Sequence, residues 1–129
     1  MLASGVEARL IEAEAALQAG DTARWRATLN HLRQTAFASP LDTVPDPGSD
    51  SARVSLTFRE RAFWLFLTGH RQGDLRRLIR QYGRAPDEVY PRGSYPGAGG
   101  QYGTDVTLPI PAQERVSNPL FTGCLSRGA

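Results

Sequence analysis

The 129-residue chain contains no lysine, a single cysteine, a single methionine and only two histidines, and it has no long apolar run. Each shortage excludes something. Cys124 alone rules out an internal disulfide framework and any multi-cysteine zinc site, and an isolated thiol with no nearby histidine reads as inert. His31 and His70 fall on different predicted helices, and neither has a second histidine or cysteine at ligand spacing, so no metal or cofactor is expected. The most apolar stretch, Ala62 to Leu67, is far shorter than the roughly 18 residues of a membrane-spanning helix. The start of the chain lacks the basic, apolar and small-residue segments of a signal peptide, so taken alone it reads as soluble. Fifteen arginines against 13 acids leave a net charge of +2. That balance gives no nucleic-acid footprint, which requires clustered basic residues on one face.

What is present points to a helical domain with much irregular structure. At this length folding hides roughly two-thirds of the unfolded surface, enough for one core. Thirteen glycines and nine prolines exceed the usual share. Ser4 and Glu7 have the spacing of a capping box, and Val6, Leu10, Ala13 and Leu17 make one apolar stripe behind them. Gly20 suits the left-handed position that ends a helix, and Asp21 can cap the next. That second helix spans about 22–35 with Trp25, Leu29 and Leu32 inward. The expected organisation begins with an antiparallel helical hairpin over 4–37. A Pro/Asp/Gly/Ser loop follows over 38–56.

A second capping box, Thr57 and Glu60, is expected to open a helix pair over 57–82. Its first helix places Phe58, Ala62, Leu65 and Phe66 on one side, while Phe63, Trp64 and Leu67 widen the apolar surface nearly all round, which implies burial on several sides. Gly69 is the expected stop. The partner helix starts near Gly73 and turns Leu75, Leu78, Ile79 and Tyr82 inward. Between the two, Arg71 and Asp74 stand three apart and can form a charged clamp. From 83 to 129 no helical period survives. Val106 to Ile110 is the one plausible strand, restricted to an edge by Pro109. The tyrosines of this tail argue for an ordered wrap rather than disorder.

No constellation carries chemistry. The glycine-rich run 97–103 follows tyrosine and proline and leads into an extended segment, so it lacks the strand-to-helix setting of a phosphate loop. The serines, histidines and acids form no nucleophile elbow or acid pair, so no catalytic residues are expected. Trp25 and Trp64 lie on helical stripes, where a core role is the plainer reading.

The ordered motifs Glu60-Arg61, Gly69-His70-Arg71 and Asp74-Leu75-Arg76-Arg77 resemble the C-terminal signature of the SusD/RagB family. The first helix, whose run Arg9-Leu10-Ile11-Glu12-Ala13-Glu14-Ala15 is like the family's helix with its Glu-Ala element, Gly20-Asp21, Leu29-Asn30-His31-Leu32-Arg33, Tyr102-Gly103-Thr104-Asp105, Leu108-Pro109-Ile110-Pro111, Glu114 and Asn118-Pro119 agree in order and approximate spacing. Trp64 and Thr68 depart from it, standing where family members commonly carry acids. The resemblance covers about 6–127 and is to the C-terminal portion of a longer protein, so Cys124 is not the family's lipid-bearing cysteine. It implies a mainly α fold of tetratricopeptide-like hairpins, a place in the cell envelope, and non-catalytic capture of a glycan or peptide nutrient beside a TonB-dependent outer-membrane transporter. An accessory subunit docked onto a larger membrane complex is the alternative. Glu60, Arg61, Gly69, His70, Arg71, Asp74, Pro109, Pro111, Asn118 and Pro119 are then structural signature positions; no ligand-binding residue transfers with them.

Overall fold

The computed structural model describes residues 4–97, 99–108 and 110–123, and it is mainly α-helical. The chain divides into two compact units, Met1–Arg71 and Gln72–Ala129. In the first, α1 (Gly5–Gln18) packs on α2 (Thr22–Thr35) and on α3 (Asp50–Trp64). Ser4 Oγ accepts the Glu7 N–H at 3.1 Å and Asp21 Oδ1 accepts that of Arg24 at 2.9 Å, so both helices start where the capping residues stand. Gly20, at φ +79°, makes the turn between them. Leu10, Ala13, Trp25 and Leu29 are completely buried, and Val6 and Leu17 pack against their edge. The stripes read from the sequence are the ones that meet.

α3 departs from expectation at both ends. It begins at Asp50, with Ser49 Oγ accepting the Ala52 N–H at 3.3 Å, rather than at Thr57. Thr57 caps nothing: it lies mid-helix, 1% exposed, accepting the Trp25 Nε1–H at 2.8 Å while donating to the Arg53 carbonyl. An indole buried this deeply needs an acceptor for its one N–H, and Thr57 supplies it. The helix ends at Trp64, before Gly69, and Leu67 turns left-handed at φ +60°. Phe63, Phe66 and Leu67 are consequently exposed, at 53%, 73% and 89%, which overturns the expected burial all round. Once the helix stops, positions 66 and 67 no longer follow its period, and no layer of the first unit reaches them.

The loop is a strap. α2 holds it residue by residue: Arg33 O accepts the Leu41 N–H at 2.8 Å, Gln34 Nε2 donates to Leu41 O at 2.6 Å, and Arg33 Nε to Asp42 O at 2.5 Å. Asn30 grips Val44 twice, accepting its N–H at 2.8 Å and donating to its carbonyl at 3.2 Å, and Val44 joins the core. Arg53 of α3 then takes both carboxylate oxygens of Asp46, at 2.8 and 3.0 Å.

The second unit contains nearly all of α4 (Arg71–Arg80), with the short helices α5 (Pro86–Val89) and α6 (Ala112–Ser117). α4 starts ahead of Gly73, and its buried residues are Leu75 and Asp74. Two short helices thus interrupt the tail expected to be irregular. The strand expected over Val106 to Ile110 does not form among the described residues; Pro109 lies outside them. Instead the Val106 carbonyl accepts two bonds, from Gln72 Nε2 at 2.8 Å and from the Tyr90 hydroxyl at 3.0 Å, fastening the tail to α4. The glycine-rich run belongs to a small turn closed by the bridge Ser94–Gln101, on which Tyr95 and Tyr102 meet edge to face at 4.7 Å.

Thr57→Val keeps the shape of the side chain but leaves the Trp25 N–H without its acceptor. It should lower the unfolding free energy by about 1–3 kcal/mol in chemical denaturation, whereas Thr57→Ser, which restores the oxygen, should recover most of the loss.

Candidate groove and aromatic ledge

Because the strap is fixed at Leu41, Asp42, Val44 and Asp46, it stands off from α3 and leaves a groove of about 550 Å³ within the first unit. That volume lies in the range of small-ligand sites. The strap contributes Val44, Pro45 and Pro47, and α3 contributes Ala52, Ser55, Leu56 and Arg59, with Ser49 and Ser51 where the strap enters the helix. On α3, Ala52, Ser55, Leu56 and Arg59 fall at helical spacings of three and four, so one row of the helix faces the prolines. Apolar ring faces, hydroxyls and one guanidinium therefore line the same opening.

The electrostatics of the rim are settled by Arg53. Its guanidinium binds Asp46 and also Asp50, at 2.8 Å. Hydrogen bonding from Arg53, with help from the Gly48 N–H, holds the Asp46 carboxyl below the usual carboxylate range, and the charge of Arg26 adds to it; partial burial acts the other way. Arg53 is correspondingly pushed up, first by its bond to Asp46. The two acids thus share one guanidinium, with Asp46 partly buried against it and Asp50 largely in solvent. Arg59 has no carboxylate within ion-pair distance among the described residues.

An aromatic ledge lies at the far end of α3. Trp64 stacks on Phe37 with ring centroids 5.4 Å apart and planes 16° apart, and Phe63 meets its edge at 5.1 Å. Trp64 is half-buried at the margin of the core, while Trp25 is wholly inside it. The Trp64 Nε1–H donates to Glu60 at 3.1 Å, and Arg33 Nη1 reaches both oxygens of the same carboxylate at 3.0 and 3.1 Å.

Glu60 and Arg61 are buried, at 3% and 4%. Gly69 adopts φ +84°, and since a β-carbon there would meet nothing, its need is backbone conformation alone. His70 brackets the same turn. Thr68 Oγ1 lies 2.5 Å from the Leu65 carbonyl and 2.7 Å from His70 Nδ1, and His70 Nε2 meets Glu7 Oε1 at 2.9 Å. The Glu7 carboxylate therefore leaves the capping box and ties α1 to a turn 63 residues away. Arg71 is exposed, and Asp74 pairs with Arg77, at 3.3 Å, rather than forming the expected clamp with Arg71. Pro111 precedes α6, and Asn118 closes it by donating to Glu114 at 2.7 Å and accepting the Leu120 N–H across Pro119. His31 is exposed on α2. Cys124 lies outside the described residues.

Neither the groove nor the ledge was singled out by sequence reasoning. The available signals were Arg59, an uncompensated charge on the apolar row of a helix, and the alternation of Pro45 and Pro47.

The SusD family profile matches residues 7–122, which is most of the chain. The chain belongs to the SusD family. No curated protein and no solved structure matches it. Members of the SusD family are, in general, nutrient-binding proteins that work with TonB-dependent transporters at the outer membrane, are non-catalytic, and are built on tetratricopeptide-like helices. The α1–α2 hairpin of this SusD-family chain, continued by α3, fits that architecture. Among the described residues, no helix is long and apolar enough to cross a membrane.

The lowered Asp46 carboxyl makes stability depend on pH with a definite sign. A carboxyl that holds its proton less tightly when folded stabilises the fold fully above the ordinary aspartate range, and that contribution is lost as pH falls through the lowered value. The difference in Tm between the wild type and Asp46→Asn should be present at neutral pH and shrink on acidification through that range; a difference independent of pH would exclude the Asp46–Arg53 link as its source.

Proposed function

We propose that this SusD-family chain takes part in capturing a glycan or peptide nutrient, without catalysis, in the cell envelope beside a TonB-dependent transporter, and that the proline-walled groove is where ligand enters. The observation that carries the reading is a preformed opening within the segment matched by the family. Its walls are set by hydrogen bonds from α2 and α3 before any ligand arrives, so little ordering entropy opposes binding. Proline faces can pack against a ring or chain, and the serine hydroxyls can both donate and accept. The signature residues Glu60, Arg61, Gly69, His70, Arg71, Asp74, Pro109, Pro111, Asn118 and Pro119 serve the scaffold in this reading, and none of them is offered as a ligand contact.

A second reading, an accessory subunit docked onto a larger membrane complex, draws support from one feature. Exposed Phe63 packs on the edge of the Phe37–Trp64 stack, exposed Phe66 and Leu67 follow it in the chain, and a large exposed apolar patch often marks a protein interface.

The two readings separate by experiment. Ser55→Trp places a bulky ring in the groove from an exposed helical position. It should abolish the binding of oligosaccharide or peptide panels in calorimetric titration while leaving Tm and transporter co-purification unchanged. If the wild-type chain binds no oligosaccharide or peptide and no transporter co-purifies, the nutrient reading fails; recovery in a stoichiometric assembly unrelated to uptake favours the second.

A further inference from the structure

Resting on the nutrient reading, we propose that the groove takes an acidic sugar, a ring bearing a carboxylate of the uronic-acid class, with Arg59 as the partner of that carboxylate. Three observations carry this.

The first is charge. Asp46 and Asp50 share the Arg53 guanidinium, at 2.8 Å each, and no acid stands in the groove lining. Arg59 lines the groove with no carboxylate within ion-pair distance among the described residues, and Arg26 lies near enough to act on Asp46. The groove lining therefore carries one exposed guanidinium and no carboxylate. A planar guanidinium matches a carboxylate with two parallel N–H donors, a geometry that a neutral hydroxyl cannot use.

The second is the rest of the lining. Pro45 and Pro47 present saturated ring faces beside Ser49, Ser51 and Ser55, of which Ser49 Oγ accepts the Ala52 N–H and Ser55 Oγ donates to the Ser51 carbonyl. A sugar ring has the complementary pair of surfaces, C–H faces and rim hydroxyls that both donate and accept.

The third disfavours an extended peptide. A peptide lying along the strap would seek free backbone donors. The strap residues lining the groove have none to give: the prolines lack an N–H, and the Val44 N–H is taken by Asn30, whose amide also occupies the Val44 carbonyl. The same bonds that fix the strap use up its capacity for strand-like pairing.

The test compares glucuronate- and galacturonate-terminated disaccharides with their neutral glucose and galactose counterparts, titrated calorimetrically into the full chain. The acidic members should bind about tenfold or more tightly than the neutral ones, a preference that weakens as salt rises. Arg59→Gln should erase that preference while leaving Tm in place. Arg115→Gln, the same charge change at an exposed position on α6, should leave the preference intact. Equal affinity for acidic and neutral sugars, or an Arg59→Gln protein that keeps the preference, would overturn the proposal while the nutrient reading stands. Binding of an acidic peptide with no response to uronates would assign the groove to the wrong class. Silence toward every sugar and peptide would remove the nutrient reading as well.

Discussion

The first unit depends on one buried polar requirement. Trp25 is the largest wholly buried side chain, and its indole carries one N–H that cannot go unpaired in an apolar core without cost. Thr57 answers it from α3, and to do so α3 must cross the α1–α2 hairpin at one register, with Thr57 facing Trp25. Much else follows from that register. Leu56 enters the core beside Thr57, Glu60 comes within reach of Arg33, Arg53 comes within reach of Asp46, and Arg59 turns toward the strap. Hydrophobic burial supplies most of the driving force, but it is tolerant of sliding, whereas a single hydrogen bond in a closed core is not.

The second organising device is the conversion of a proline-rich connection into a wall. Prolines reduce the backbone freedom that must be lost, and α2 supplies side chains from consecutive turns to meet the backbone groups that remain. Asn30 acts as one rung of a sheet ladder would, meeting the N–H and the carbonyl of Val44 together. Among residues that would ordinarily be mobile, the result is a fixed surface opposite a helix, which is what a small-ligand site needs. The cost of ordering is met inside the fold rather than at the moment of binding.

The hairpin was legible because its signals are local and mutually consistent. Ser4, Asp21 and Gly20 mark ends, and the stripes Leu10–Ala13 and Trp25–Leu29–Leu32 mark faces. The start of α3 was misread because Thr57 and Glu60 also satisfy the spacing of a capping box, while the true cap, Ser49, sits inside a stretch whose prolines suggest a loop throughout. The early stop at Trp64 was equally hidden. Six residues of strongly apolar sequence, 62–67, promise a continuous helix, yet the left-handed Leu67 turns the chain out and leaves Phe66 in solvent. The groove could not be read at all, since it requires knowing that Asp46 meets Arg53 and that the strap is held away from α3.

By itself the sequence determined the helical class, the α1–α2 hairpin with its caps, and the ordered motifs of the SusD family, because these rest on spacings of three and four residues and on residue types in order. Tertiary structure alone decided what the polar and charged side chains do. Glu7 could cap its own helix or reach His70; Asp74 could pair with Arg71 or Arg77; Thr57 could open a helix or receive an indole. Local spacing permits both members of each pair at similar energy. Only burial, which raises the cost of an unmet partner, selects one.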